Sequence, residues 1–202
     1  MKKLLPIIFI LILSSCSVEE PIPLETVNID DIVEREGIFY KVNSKQPFLG
    51  MSQEYIDSNL IKRTYKDGKV MESEESYIGR NETVIENVTK YSEDGDIIEM
   101  RDFNNGKLSY VMRFSELETE GIQEDYHENG QLKCKSDEQK GVTVFSECFY
   151  PNGLLEFKYF PGKKYNLEVY YEKDGEIKER SCYTKTDGET EWVEPSLCKD
   201  LN

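Results

Sequence analysis

The chain has one histidine, one tryptophan and no apolar run long enough to cross a bilayer. Each shortage removes a class of function. A membrane-spanning helix needs about 20 apolar residues; the stretch from Leu4 to Leu13 is too short and contains Pro6. His127 stands beside Tyr126 with no Gly-x-Ser-x-Gly elbow anywhere, so a Ser-His-Asp hydrolase is not supported. A solvated strand position is its expected role. Glycine-rich phosphate loops are missing. Glu93-Asp94-Gly95-Asp96 gathers acids beside a glycine but lacks the calcium loop with its terminal glutamate, and ordinary turn chemistry accounts for it. Basic residues are scarce: 25 Lys and Arg face 40 Asp and Glu, a net charge of −15. Such a surface repels phosphates and anionic lipid headgroups, which argues against nucleic acid as a partner. With acids this abundant, any pair chosen as general acid and base is arbitrary. We expect no catalytic residue, no cofactor and no metal, and a protein that is not an enzyme.

What the chain does have begins with a targeting layout. Lys2 and Lys3 precede the apolar stretch, which closes in Leu13-Ser14-Ser15-Cys16. A positive start, a short apolar region and small residues before a cleavage point make a secretory signal. With Cys16 at that junction it resembles the bacterial lipoprotein signal, whose thiol is acylated before the chain is cut in front of it. The resemblance implies lipidation of Cys16 and anchoring to the membrane, each buried methylene contributing about 0.8 kcal/mol. An ordinary cleaved signal with an incidental cysteine is the rival reading. By resemblance to enterobacterial lipoproteins, in which Asp at this position favours the inner membrane, Ser17 implies the outer membrane and a periplasm-facing protein. Residues 1–15 are read as signal peptide and 16–31 as a flexible tether with Pro21, Pro23 and no aromatics. Residues 32–202 remain as one domain.

That domain is not a disordered acidic tail, because the chain's 13 Tyr and all but one of its 9 Phe are spread along it instead of being clustered. Its four cysteines, Cys134, Cys148, Cys182 and Cys198, form an even set, which in an exported chain points to disulfides with three possible connectivities. Free buried thiols are the alternative. Zinc is discounted, since the cysteines lie 14, 34 and 16 positions apart and no second histidine helps.

From residue 65 onward one pattern recurs: an aromatic, polar residues, Asp or Asn, Gly, any residue, then an aliphatic. It reads YKDGKV from Tyr65, YSEDGDI from Tyr91, FNNGKL from Phe103, YHENGQL from Tyr126, YPNGLL from Tyr150 and YEKDGEI from Tyr171. Asn-Gly and Asp-Gly supply the positive φ values of two-residue hairpin turns. The aromatic before the turn and the aliphatic after it (Val70, Ile97, Leu108, Leu132, Leu155, Ile177) then meet across the hairpin, a pairing that contributes about 0.2–1 kcal/mol each. Leu155, Phe157 and Tyr159 alternate with Glu156 and Lys158, the period of a strand. Gly106, Gly130, Gly153 and Gly175 are spaced 24, 23 and 22 apart, with Lys140-Gly141 and Pro161-Gly162 between them. Turns about every eleven residues predict an all-β, antiparallel meander of hairpin repeats in a single elongated sheet, with little helix. Ser52 to Lys62 is the expected helical exception.

On these motifs the chain resembles the MORN-variant repeat, most closely in YHENGQLKCKSDEQKG at 126–141. The lead-in from Ile32 to Tyr40, followed by Gln46-Pro47-Phe48-Leu49-Gly50, is similar to that of the same proteins, many of them bacterial lipoproteins of the YwqK-type antitoxin family. Few repeats keep the paired glycines and the tryptophan of a regular unit, and the spacing drifts between Gly68 and Gly95. The resemblance implies a MORN-like sheet acting by protein–protein binding, as an antitoxin or immunity protein that masks a basic toxin. A structural or scaffolding component of the cell envelope is the second expectation. In such a sheet Cys134 and Cys148, flanking Gly141, fall on adjacent strands, leaving Cys198 to pin the C-terminal tail near Cys182. Tyr159, Tyr170 and Tyr171 are expected either in the core or in a binding patch.

Overall fold

The computed structural model describes residues 24–80, 82–115, 120–186 and 189–199. Sixteen strands follow in chain order. They are β1 (Thr26–Asn28), β2 (Ile32–Arg35), β3 (Ile38–Lys41), β4 (Gly50–Ile56), β5 (Asn59–Lys66), β6 (Lys69–Ile78), β7 (Thr83–Tyr91), β8 (Ile97–Asn104), β9 (Lys107–Phe114), β10 (Gly121–Tyr126), β11 (Leu132–Gln139), β12 (Val142–Phe149), β13 (Leu155–Phe160), β14 (Asn166–Tyr171), β15 (Ile177–Thr186) and β16 (Glu189–Val193). Short 3-10 turns at Ile29–Asp31 and Pro195–Cys198 are the only helical elements among the described residues. Fourteen strands make one sheet in the order β1-β4-β5 and onward to β16, and β2-β3 pair separately. From β4 to β16 every strand is antiparallel to the next. The expected all-β meander is the observed fold.

The aromatic–aliphatic pairing is the repeat's local engine. The register sets Tyr65 opposite Val70, Tyr91 opposite Ile97, Phe103 opposite Leu108, Tyr126 opposite Leu132 and Tyr171 opposite Ile177. In the fifth repeat the partner of Leu155 is Phe149, not Tyr150. Each of these hairpins has one unpaired residue just after the aliphatic: Met71, Ile98, Ser109, Lys133, Glu156 and Lys178. Such a bulge bends the strand and sharpens its twist. It also breaks the alternation expected after Gly153, because Leu155 pairs with Phe149 while Phe157 pairs with the adjacent Cys148.

The turns fall into two kinds. Asp67-Gly68, Asn105-Gly106 and Lys140-Gly141 have positive φ at both residues, as two-residue turns require. At Gly95, Gly130, Gly153 and Gly175 an extra residue precedes the Asp/Asn-Gly pair and only the glycine is left-handed. There a three-residue loop forms, as at His127, where Gly130 N–H donates to the His127 carbonyl (2.8 Å) and His127 N–H to that of Gln131 (2.8 Å).

Two expectations are corrected. Ser52 to Lys62 is not helical; it is the β4–β5 hairpin, whose turn at Asp57-Ser58 lacks glycine because Asp57 itself takes φ 52°. The segment assigned to the tether is ordered from Thr26, where β1 pairs parallel to β4 and adds its backbone to the sheet edge. The opposite edge, β16, carries exposed Glu189 and Glu191, charges that discourage further strand addition.

Among the described residues no second layer runs along the sheet, and burial concentrates at its ends. At the first, Tyr65 is 1% exposed and packs its ring 5.2 Å from Phe39 and 5.3 Å from Phe48, with its hydroxyl 3.1 Å from that of buried Ser52. The β2–β3 hairpin is fastened there by Phe39 N–H to the Gly68 carbonyl, and the segment after it by Gly68 N–H to the Phe48 carbonyl, both 2.8 Å. At the other end Leu167, Val169, Cys182 and Cys198 form a buried cluster beneath the C-terminal tail, with Phe160, Tyr171 and Val193 against it.

A Cβ on Gly68 would lie 2.5 Å from Ile38 Cγ2 and 2.8 Å from the Phe39 carbonyl, whereas one on Gly130 would meet nothing within 4 Å. Both glycines are left-handed. We expect Gly130→Ala to cost about 1–2 kcal/mol, the left-handed penalty alone, and Gly68→Ala clearly more, measured by urea unfolding.

Candidate functional site

Cys134 and Cys148 face each other on β11 and β12 with Cα atoms 4.0 Å apart, and are bridged. Cys182 on β15 is bridged to Cys198, Cα–Cα 6.1 Å, tying the tail beneath the sheet. Both pairings follow the expectation. Cys16, the expected lipidation site, and the signal lie outside the described residues.

His127 is half-buried in the turn after β10, not on a solvated strand as expected. Its Nε2 lies 2.7 Å from the Phe149 carbonyl of the next repeat. Tyr150 occupies the same place in its own turn, and its hydroxyl donates to the Tyr171 carbonyl at 2.7 Å. Lys107 Nζ donates to the Glu128 carbonyl (3.2 Å) and Asn129 Nδ2 to that of Pro151 (2.9 Å), so side chains stitch successive turns together.

The two faces of the sheet differ in charge. One face carries cross-strand ion pairs: Lys62–Glu74, Lys90–Glu99, Arg113–Glu99, Arg113–Glu124, Lys135–Glu124 and Lys158–Glu147, from 2.6 to 3.5 Å. Arg101 approaches Glu99 Oε1 at 2.7 Å, and that buried oxygen is held by charge without a hydrogen bond. Val111, 1% exposed, lies in the row between Arg101 and Glu124. Here acids and bases neutralise one another.

On the opposite face one row runs Glu75, Asn87, Asp102, Tyr110, Asp125, Cys134, Cys148, Phe157, Tyr170, Glu179 from β6 to β15. The second row there runs Ser73, Thr89, Met100, Met112, Gln123, Ser136, Ser146, Tyr159, Glu168, Ser181. Between β6 and β15 neither row holds a lysine or arginine; Arg63 on β5, opposite Ser73, pairs with Glu54 at 3.3 Å, and Lys185 lies at the β15 end of the same face. Glu75, Asp102, Asp125, Glu168 and Glu179 have no ion-pair partner among the described residues. Burial, then the charges of Asp125 and Asp102, push the Tyr110 phenol up. This is the acidic face.

Toward β15 the acidic face becomes aromatic. A groove of ≈ 670 Å³ is lined by Phe157, Tyr159, Asn166, Glu168, Tyr183 and Lys185, with Val142 at its side. Glu168 accepts from Tyr170 (3.0 Å) and Tyr183 (3.1 Å), while Tyr159 donates to Asn166 Oδ1 (3.1 Å). Phe157 and Tyr170 pack with tilted rings, centroids 5.1 Å apart, and Trp192 meets Tyr183 edge-on at 5.1 Å. Burial, together with the charge of Glu168 and its hydrogen bond, drives the Tyr183 phenol far above its ordinary value. Of the three tyrosines singled out in the sequence, Tyr159 and Tyr170 lie on this face. Tyr171, one residue on, turns to the other and packs on the C-terminal cluster. Glu168 and Tyr183 were not anticipated; the alternation Glu168-x-Tyr170 was the available signal. No helix among the described residues is long and apolar enough to cross a membrane. The chain matches no family model and no curated protein.

Two outcomes follow from these contacts. Hydrogen bonding from Arg113 holds the Glu124 carboxyl below its usual range against the opposing effect of burial, with help from Tyr126 and Lys135. For Glu99, burial raises the value but Arg101, Lys90 and Arg113 outweigh it, and the net shift is downward. Groups depressed in the fold stabilise fully above the unfolded carboxylate value of about 4.3 and lose that contribution as pH falls through their folded values. The urea midpoint should therefore hold down to about pH 5 and drop below it, with a shallower drop in Glu124→Gln. Loops of this length contribute about 3 kcal/mol per disulfide. Under graded reductant, Cys134 and Cys148 should be alkylated before Cys182 and Cys198, which are 1% and 2% exposed.

Proposed function

We propose that this chain is an exported, lipid-anchored envelope protein of the MORN-variant kind that binds a basic protein partner across its acidic face. The carrying observation is the segregation of charge: bases and acids are paired on one face, and from β6 to β15 the two central rows of the other carry carboxylates and no lysine or arginine. Uncompensated acids steer a basic partner and disfavour acidic ones. The sheet supplies a broad row-by-row surface, which suits recognition. An antitoxin or immunity role is the sharpest form of this reading, with a basic toxin as the partner. Anchoring at Cys16 would place that surface in the periplasm.

The test neutralises the face without touching the ion-paired one. A Glu75→Gln, Asp102→Asn, Asp125→Asn variant should fold with wild-type circular dichroism and lose crosslinking to the partner captured by the wild type. Equal capture by both proteins removes the reading. A deletion strain not sensitised to any neighbouring gene product removes the antitoxin form and leaves an envelope scaffold. Labelled palmitate should be incorporated into the wild type and not into Cys16→Ala.

A further inference from the structure

We infer that the groove around Glu168 is an anchor pocket for a single arginine or lysine side chain of the basic partner, an inference that rests on the acidic-face reading above. Glu168 has no cation of its own among the described residues, and each carboxylate oxygen accepts one tyrosine hydroxyl. An ionised carboxylate offers about four acceptor sites, so roughly two remain for an incoming donor. The phenols of Tyr170 and Tyr183 fix the carboxylate's orientation in advance, and preorganised acceptors bind with less loss of freedom. Tyr183, 5% exposed, forms the floor; Phe157 and Tyr159 rise beside it and offer ring faces to a cation. The site already tolerates such a group: exposed Lys185 reaches over the Tyr183 ring at 6.0 Å yet forms no ion pair with Glu168. Lys185 thus sits at the rim as a weak internal occupant that the partner's cation displaces. A side chain on a partner, and not a free small cation, is favoured because the groove is continuous with the two acidic rows and open along them.

Octa-arginine amide titrated into the purified full chain, followed by calorimetry and by emission of the sole tryptophan, tests this. Trp192 packs on Tyr183, so filling the groove changes its emission. Glu168→Gln should weaken binding at least about tenfold, the worth of one charged hydrogen-bonded contact, and abolish the emission change. Asp102→Asn, on the same face but away from the groove, should weaken it by no more than about twofold. Lys185→Ala, an exposed change that leaves the fold intact, should tighten binding about two- to threefold. Equal weakening by Glu168→Gln and Asp102→Asn with no emission change overturns the pocket and leaves the acidic-face reading standing. Absence of binding to octa-arginine at low salt overturns both. Displacement by choline at concentrations matching the peptide's affinity marks a small-molecule site and overturns the docking role.

Discussion

With no second layer along it among the described residues, the sheet has to find its stability between neighbouring strands, and nearly everything in this fold follows from that restriction. Open sheets expose both faces to water, so the apolar area available per residue is small. The repeat answers with a contact that needs no opposing layer: an aromatic before each bend lies against an aliphatic after it. Charge does on one face what a core does elsewhere, lacing strand to strand through Arg113 and its two glutamates. Side chains reaching from one bend to the next carbonyl complete the fabric. Stability in such arrays is a sum over adjacent units, and the terminal units need covers. The N-terminal aromatic cluster and the disulfide-pinned tail supply them.

Much of this architecture was legible in the residues. Asp-Gly and Asn-Gly doublets located the bends, and the aliphatic two places on located the pairing. What escaped notice depended on quantities that no local pattern reports. Asp57 makes a turn without glycine, so the β4–β5 hairpin reads in the sequence as a helix over Ser52 to Lys62. Thr26–Asn28 joins the sheet by backbone pairing with β4, and composition says nothing about that. Phe149 and Tyr150 are adjacent aromatics, and only the register tells which one faces Leu155.

The acidic face was hidden for a different reason. Net charge was obvious, but the face a residue takes depends on counting positions through bulged strands. Glu147 and Glu168 look alike in the sequence; one is paired with Lys158 and the other is left to two tyrosines. The same arithmetic separates Tyr170 from Tyr171. Segregation of charge is thus a property of register.

The drift in spacing near Gly95 carries a consequence of its own. Gly68 and Gly95 bend the chain at one end of the sheet, while Gly106, Gly130, Gly153 and Gly175 bend it at the other, because consecutive hairpins alternate ends. The motif therefore slips by a single strand between β7 and β9, and its aromatics change sides there. Lengthening this gene by a pair of strands would preserve which surface each later residue occupies. Gaining or losing one strand would turn the remainder over like a page. Evolution of the array is thereby quantised in twos.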